Sequence, residues 1–292
     1  MQSRSPKAER DYVKLPTGKW LRGRGFTLIE LLVVITIIAM LAAILLPSLA
    51  RAKDQAKKIN CISNLHQLQV CWHLYVDDYG QVLPPNDDIS TGNSGEMANM
   101  EQLSWCEGQP RIDTNTANIQ AGLLFPYNRQ TAIYHCPSDL STVDGGVQLR
   151  NRSYNMSQSV NGLGSIVDPS ENVAVDVVQP CFLKLAEIHN PSPSQAFVFI
   201  DESEATMWDA QFGYPMPNYD SGVWWDMPAN RHEQGADLSF ADGHVEYWHW
   251  RVPMLFTLPP GDIGQSVAPG QQPDYNRVGN AMLIQAVDLN KL

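Results

Sequence analysis

The sequence is short of charge: Asp, Glu, Lys and Arg make up 17% of its 292 residues, against 43% that are hydrophobic. A chain that apolar can bury a core, which excludes wholesale disorder. Basic residues are scarcest where most of the chain lies. Residues 61–292 hold nine Lys/Arg against 27 Asp/Glu, a balance of −18. A body of that sign repels phosphate, so nucleic acid is excluded as a partner. Pairs at C-x-x-C spacing are missing. Cys61, Cys71, Cys106, Cys136 and Cys181 stand far apart, which argues against a zinc motif or a thioredoxin-like one. G-x-S-x-G, H-E-x-x-H and P-loop patterns are absent too, so the usual enzyme signatures are lacking.

Positive charge gathers instead at one end. Residues 1–25 carry seven basic side chains against Glu9 and Asp11, and residues 51–60 add a further +3. Between them Leu31–Leu46 reads LLVVITIIAMLAAILL, with Thr36 as its one polar residue. Counted from Phe26 the stretch is 21 residues, about the length that crosses a bilayer core. The basic segment before it places the N-terminus on the cytoplasmic side. By composition this is a signal anchor, or a secretory signal with Ala50-Arg51-Ala52 as a poor cleavage site. Glu30 fits neither. An ionisable group in a membrane helix costs roughly 2.5–3.5 kcal/mol on insertion scales, so it calls for a partner.

The segment Arg24-Gly25-Phe26-Thr27-Leu28-Ile29-Glu30, followed by the apolar run and Pro47, resembles the N-terminal signature of type IV prepilins and type II secretion pseudopilins. The resemblance implies a prepilin peptidase/methylase that cuts after Gly25 and methylates the new N-terminal Phe26. It also implies that Glu30 pairs with the terminal amine of a neighbouring subunit. An opposite charge one helical turn away would offset the burial of the carboxylate. Ala39, Ala42 and Ala43 permit close approach of helices. Pro47 removes one backbone bond and is expected to interrupt the helix where it leaves the membrane.

Past Pro47, Ala52, Ala56, Ile59, Ile62, Leu65, Leu68, Trp72, Tyr75 and Tyr79 recur at helical spacing. The helix is therefore expected to reach about Tyr79 and to lay that face on a head, ending at Gly80 and Pro84-Pro85. The expected division is a basic leader over 1–25, a transmembrane helix over 26–48 and an amphipathic helix over 49–80. A head over 81–255 and an extended Pro/Gly-rich tail over 256–292 follow. Within the head, Ile133–Asp139 reads as a strand running into a turn and Ala196–Glu202 as the best strand of the chain. Asp237–Trp248 reads as a hairpin about a two-residue Asp242-Gly243 turn of type I′. The fold class is α+β: one long helix packed on a small antiparallel sheet, as in pilins.

His232, followed after nine residues by Asp242-Gly243, is similar to a C-terminal H-X9-DG signature of pilin-like proteins in planctomycetes and verrucomicrobia. Cys136-Pro137-Ser138-Asp139 and the Cys61-x-x-Asn64-Leu65 step resemble further features of that class. His232 and Asp242 are expected to stabilise the hairpin. The competing reading gathers His232, Asp201, Glu202 and Asp242 into a hard-metal or hydrolytic cluster. Resemblance to pseudopilins keeps calcium open as a ligand of the C-terminal region; otherwise no cofactor is expected. Cys61 and Cys71 are ten residues apart on a helix, about 15 Å, too far to bond. An exported head is expected to bridge Cys136 to Cys106 or to Cys61. Trp248 and Trp250 form either an aromatic platform for a polymer or part of the core.

The expected function is a structural filament subunit rather than an enzyme. Its membrane helix would associate with other pilin-like subunits, anchored in the inner membrane with the head in the periplasm. An anchored binding module and an anchored metallohydrolase are the alternatives. The leader generates a direct prediction. Mass spectrometry of membrane-extracted protein should find N-methylphenylalanine at position 26 as the first residue; a start near Arg51 or Lys53 would mean ordinary signal cleavage.

Overall fold

The structure, a computed structural model, describes residues 26–87, 104–163, 166–168, 173–175, 181–214, 222–259 and 264–282. The leader with Gly25, the loop at Thr91–Gly95 and the end of the chain beyond Met282 lie outside the described residues. Two units follow one another along the chain, Met1–Ala50 and Arg51–Leu292.

Helix α1 runs over Leu28–Asp78 as one element, with Pro47 inside it. The interruption expected at Pro47 does not occur: the helix is continuous across it. Proline withdraws a single donor, and one missing bond does not end a helix of 51 residues. The first half of α1 is apolar enough to cross a membrane, with an 18-residue window of mean hydropathy 2.9. Its large side chains from Phe26 to Leu49 are exposed. In the second half the buried face is Cys61, Leu65, Leu68, Gln69, Cys71, Trp72, Tyr75 and Val76. The stripe expected from Ala52 therefore begins only at Cys61, and Ile59 and Tyr79 at its margins stay exposed.

The remaining elements are β1 (Asn86–Asp87), α2 (Ala117–Ala121), β2 (Tyr154–Ser157), β3 (Gly162–Leu163), β4 (Ile166–Asp168), β5 (Val173–Val175), β6 (Phe197–Asp201), β7 (Gln211–Phe212), β8 (Val223–Trp224), β9 (Gly235–Phe240), β10 (Val245–His249), β11 (Gln265–Ser266) and α3 (Gln272–Asn280). The main sheet has the order β10-β9-β6-β2-β7. Its first four strands pair antiparallel, whereas β7 lies parallel to β2, so the sheet is mixed. Buried Arg152, just before β2, donates to the carbonyl of Asp209, just before β7, at 2.6 Å and so ties together the segments that lead into these two strands.

Apolar clusters cover both faces of this sheet. One joins the buried face of α1 to Trp105, Tyr134, Tyr154, Met156 and Phe199. The other joins Phe197, Ile200, Leu238, Phe240, Trp248 and Trp250 to Tyr275 and Val278 of α3. Strand β6 is apolar without alternation because it is buried on both sides. A register shift between Phe197 and Phe199 turns Val198 and Phe199 toward the same cluster, as a bulge does.

Three expectations change here. Residues 131–134 form a 3-10 helix, not a strand, because the His135 amide bonds the Ala132 carbonyl and Ile133 and Tyr134 turn inward. The stretch expected as an extended tail supplies β11 and α3; Tyr275 and Val278 give it an apolar face that the Pro/Gly content hid. The hairpin turn has three residues, Ala241, Asp242 and Gly243, since Phe240 donates to the His244 carbonyl at 2.9 Å. Gly243 alone of the three takes a positive φ, +100°. That is a three-residue loop with a glycine closing it, not type I′.

A Cβ on Gly243 would find room, with His73 Nε2 at 3.5 Å, so the cost of replacing it is backbone strain. Gly243→Val should lower head stability by about 1–3 kcal/mol. Asp242→Asn keeps an acceptor for the His244 amide and should cost no more than about 0.5 kcal/mol. Thermal unfolding of the two variants checks the order; equal losses would contradict it.

Candidate functional site

At the start of α1, the Glu30 carboxylate accepts from the Thr27 amide and the Thr27 hydroxyl, both at 2.9 Å. The Glu30 amide donates back to Thr27 Oγ1 at 3.2 Å. Thr27-Leu28-Ile29-Glu30 is thus a capping box, in which two groups close each other's backbone vacancies. The S/T-x-x-E spacing was readable in the sequence and supplies Glu30 with a local partner that the charge argument overlooked. Phe26 lies exposed one residue before the box.

In the head, Cys61 of α1 and Cys136 are joined in a disulfide, with Cα atoms 5.1 Å apart across 75 residues of sequence. Cys106, the other expected partner of Cys136, is free and buried, and its sulfur accepts from Arg152 at 3.0 Å. His232 sits on the disulfide: Nε2 lies 3.2 Å from Cys136 Sγ, and Nδ1 lies 3.4 Å from the Ser138 hydroxyl. Its Nε2 is also 3.6 Å from Asp237 Oδ2. One helical turn past Cys61, Asn64 donates to the His135 carbonyl at 3.0 Å. The Cys61-Asn64 step, the Cys136–Asp139 segment and His232 therefore meet at one place.

Arg231, which no sequence pattern singled out, fastens this node. Buried, it pairs with Asp139 at 3.0 Å, with Glu204 at 3.1 Å and with Asp201, and donates to the Glu202 carbonyl at 2.9 Å. The carboxylates around it raise its pKa against the pull of burial. Burial pushes the Asp139 carboxyl up, but Arg231 and the bonds from Ser153 and Ser141 outweigh it and hold it below the usual range. Burial pushes Asp201 well up, because Arg231 is shared among several acids. Burial, with Arg231 and Lys58 nearby, lowers His232 to about 4, so its ring is neutral at ordinary pH. Burial raises Asp237 to about 7.

The backbone at the node is strained. His232, Glu233 and Gln234 have φ of 51°, 66° and 71°, three consecutive left-handed residues that are not glycine. Arg231 and Gly235 close the loop with two mutual backbone bonds of 2.7 Å. Tyr247 Oη donates to the His232 and Glu233 carbonyls at 2.5 and 3.1 Å, and Lys58 Nζ lies 3.2 Å from the Tyr247 ring centre. Gly235 is required: a Cβ there would stand 2.3 Å from the Trp248 carbonyl oxygen.

The structure does not bring the expected acidic cluster together. Glu202 is taken by Asn155 and Thr206 at 2.7 and 2.9 Å, Asp201 by Arg231, and Asp242 by His244 at the far end of β9. His232 and Asp242 thus act at opposite ends of one strand. The His232 side chain is 1% exposed, which leaves no route for a substrate to a general base. Trp224, Trp248 and Trp250 are core residues, so no aromatic platform forms from them.

Residues 20–46 match the prokaryotic N-terminal methylation motif, which falls on the start of a long helix that is exposed and apolar in its first half. The chain is prepilin- or pseudopilin-like. Over 116 residues it is 30% identical to type II secretion system core protein G of Escherichia coli (strain K12), a match that takes in 40% of this chain and 65% of that protein. No solved structure matches.

Asp139 generates a pH prediction. Its carboxyl is depressed in the folded head, so its contribution is present above the unfolded pKa, about 3.9, and is lost as pH falls through the lower folded value. Asp139→Asn should therefore cost about 1–3 kcal/mol at neutral pH, with Arg231 still held by Asp201 and Glu204. The gap to wild type should begin to narrow as pH falls below about 3.9 and close below the lower folded value. Denaturant melts across pH 2.5–7 check this; a gap independent of pH would contradict it.

Proposed function

We propose that this chain is a structural subunit and not an enzyme, cut by a prepilin peptidase after Gly25, methylated on Phe26 and built into a type IV pilus or type II secretion pseudopilus-like filament. The observation that carries the reading is the methylation motif over residues 20–46, lying across an exposed apolar helix with Phe26 and Glu30 at its start. Before assembly the helix sits in the inner membrane, with the basic leader cytoplasmic and the head periplasmic. Its partners are the processing peptidase and other pilin-like subunits.

The capping box gives Glu30 two states. In the separate subunit the carboxylate turns back on Thr27 and caps its own helix. In the filament it meets the Phe26 ammonium of a neighbour, a charge that exists only after cleavage. Exchanging amide partners for an ammonium in an apolar surrounding favours assembly.

The two roles separate by mutation. Glutamine preserves a capping box and removes the charge, whereas alanine removes both. Glu30→Gln and Glu30→Ala should both be cleaved after Gly25 yet enter sheared filaments at least tenfold less than wild type, accumulating in the membrane. Normal incorporation of Glu30→Gln with loss of Glu30→Ala would reduce the residue to a cap. Normal incorporation of both would favour the membrane-anchored binding module.

A further inference from the structure

Four cations stand just past the apolar half of α1: Arg51, Lys53, Lys57 and Lys58. With the leader set aside they are four of the chain's thirteen basic residues, crowded into eight positions. Asp54 is the one acid among them, and the next along the helix is Asp77. Basic residues are disfavoured close to a span on its translocated side, so this placement runs against the rule that orients the chain. Arg51 and Lys53 are exposed, Lys57 and Lys58 half-buried. Among the described residues none of the four is ion-paired. Lys58 is held at the Tyr247 ring, with Nζ 3.2 Å from its centre. We propose that Arg51, Lys53, Lys57 and Lys58 bind anionic phospholipid headgroups, of the phosphatidylglycerol class, at the bilayer surface from which the head emerges.

Helical spacing puts these side chains where headgroups lie. Leu49 is the last exposed large apolar residue of the first half. At the helical rise, Arg51 and Lys53 follow it by about 3 and 6 Å, and Lys57 and Lys58 by about 12 and 13.5 Å. The headgroup layer is about 5–7 Å deep on each side of a bilayer. Arg51 and Lys53 therefore stand within it, and the other two lie within a Debye length, about 8 Å, of its edge. At about 100° per residue all four fall within one half of the helix circumference, the half that carries Cys61, Leu65 and Trp72 further on. Ala52, Ala56 and Ile59 fall on the other half. The cations thus share one side of α1 and face a common ligand.

The inference rests on the membrane-inserted subunit of the proposed function. Residues 61–292 carry −18, and an anionic surface repels them. The cluster, at +3 with Asp54 counted, supplies the attraction that the body lacks. The Arg51 guanidinium can take a lipid phosphate with two parallel bonds, and the lysines add point charges. Each such cation near a bilayer surface is worth roughly a fivefold preference for anionic lipid. Headgroups stay behind when a subunit leaves the bilayer, so the contact favours the membrane-held state over the filament.

Full-length protein is reconstituted in phosphatidylcholine vesicles that hold a trace of spin-labelled phosphatidylglycerol or of spin-labelled phosphatidylcholine. Electron spin resonance reads the motionally restricted fraction of each label. Wild type should restrict phosphatidylglycerol at least threefold more strongly, averaged over the lipids that touch the span. The triple variant Arg51→Gln/Lys53→Gln/Lys57→Gln should cut that preference by at least half, the remainder belonging to the leader, and should restrict phosphatidylcholine as wild type does. Arg51→Lys/Lys53→Arg/Lys57→Arg, which keeps the charge, should keep the preference. Millimolar inorganic phosphate at constant ionic strength should not displace the lipid. An unchanged preference in the glutamine variant overturns the proposal, and so does equal restriction of the two labels by wild type. Displacement by inorganic phosphate also overturns it, because the site would then serve a free anion. Absence of any restricted label overturns the inserted state itself, and the proposal with it.

Discussion

The bond between Cys61 and Cys136 closes a loop of 75 residues and fixes where α1 meets the head. In the chain-entropy treatment a loop of that length is worth about 4.5 kcal/mol, comparable to much of the net stability of a domain. Its larger consequence is positional. With Cys136 fixed, Asp139 is placed to meet Arg231, His135 offers its carbonyl to Asn64, and His232 rests on the sulfur. Arg231 then stands at the start of the left-handed turn that leads into β9, the second strand of the main sheet. A left-handed residue other than glycine costs roughly 1–2 kcal/mol, so three in a row persist only because both ends are held. The crosslink, the ion pairs and the Tyr247 hydroxyl provide that hold.

The two halves of α1 obey different solvents. From Phe26 to Leu49 its large apolar side chains are exposed, far more contiguous apolar surface than a soluble protein tolerates. From Cys61 onward the same helix has a polar outer face and a buried inner one. The first half is long and apolar enough to cross a bilayer, and the second packs on the head. Glu30 is the exception within the apolar half, and its capping box shows how a lone carboxylate is kept satisfied there.

Much of this was legible in the sequence because it rests on local pattern. The apolar run, the motif around Gly25–Glu30, the long helix and the strand at Phe197–Asp201 all follow from periodicity or composition. What was hidden depends on contacts between distant segments. Gln69, which no sequence pattern singled out, is buried and accepts from the Ser239 hydroxyl at 2.8 Å. Arg231 carries no local pattern, and only folding brings Asp139, Asp201 and Glu204 around it. The Pro/Gly content after Arg251 hid a helix whose apolar face needs the sheet to pack on. Asp-Gly signalled a turn correctly, but the number of residues in it was set by the pairing of Phe240 with His244.

Peptide mapping of the oxidised full-length protein, digested without reduction after alkylation under denaturing conditions, tests the central arrangement most directly. The account predicts one crosslinked pair, Cys61 with Cys136, and alkylated Cys71, Cys106 and Cys181. A Cys106–Cys136 crosslink, or alkylated Cys61 and Cys136, would contradict it.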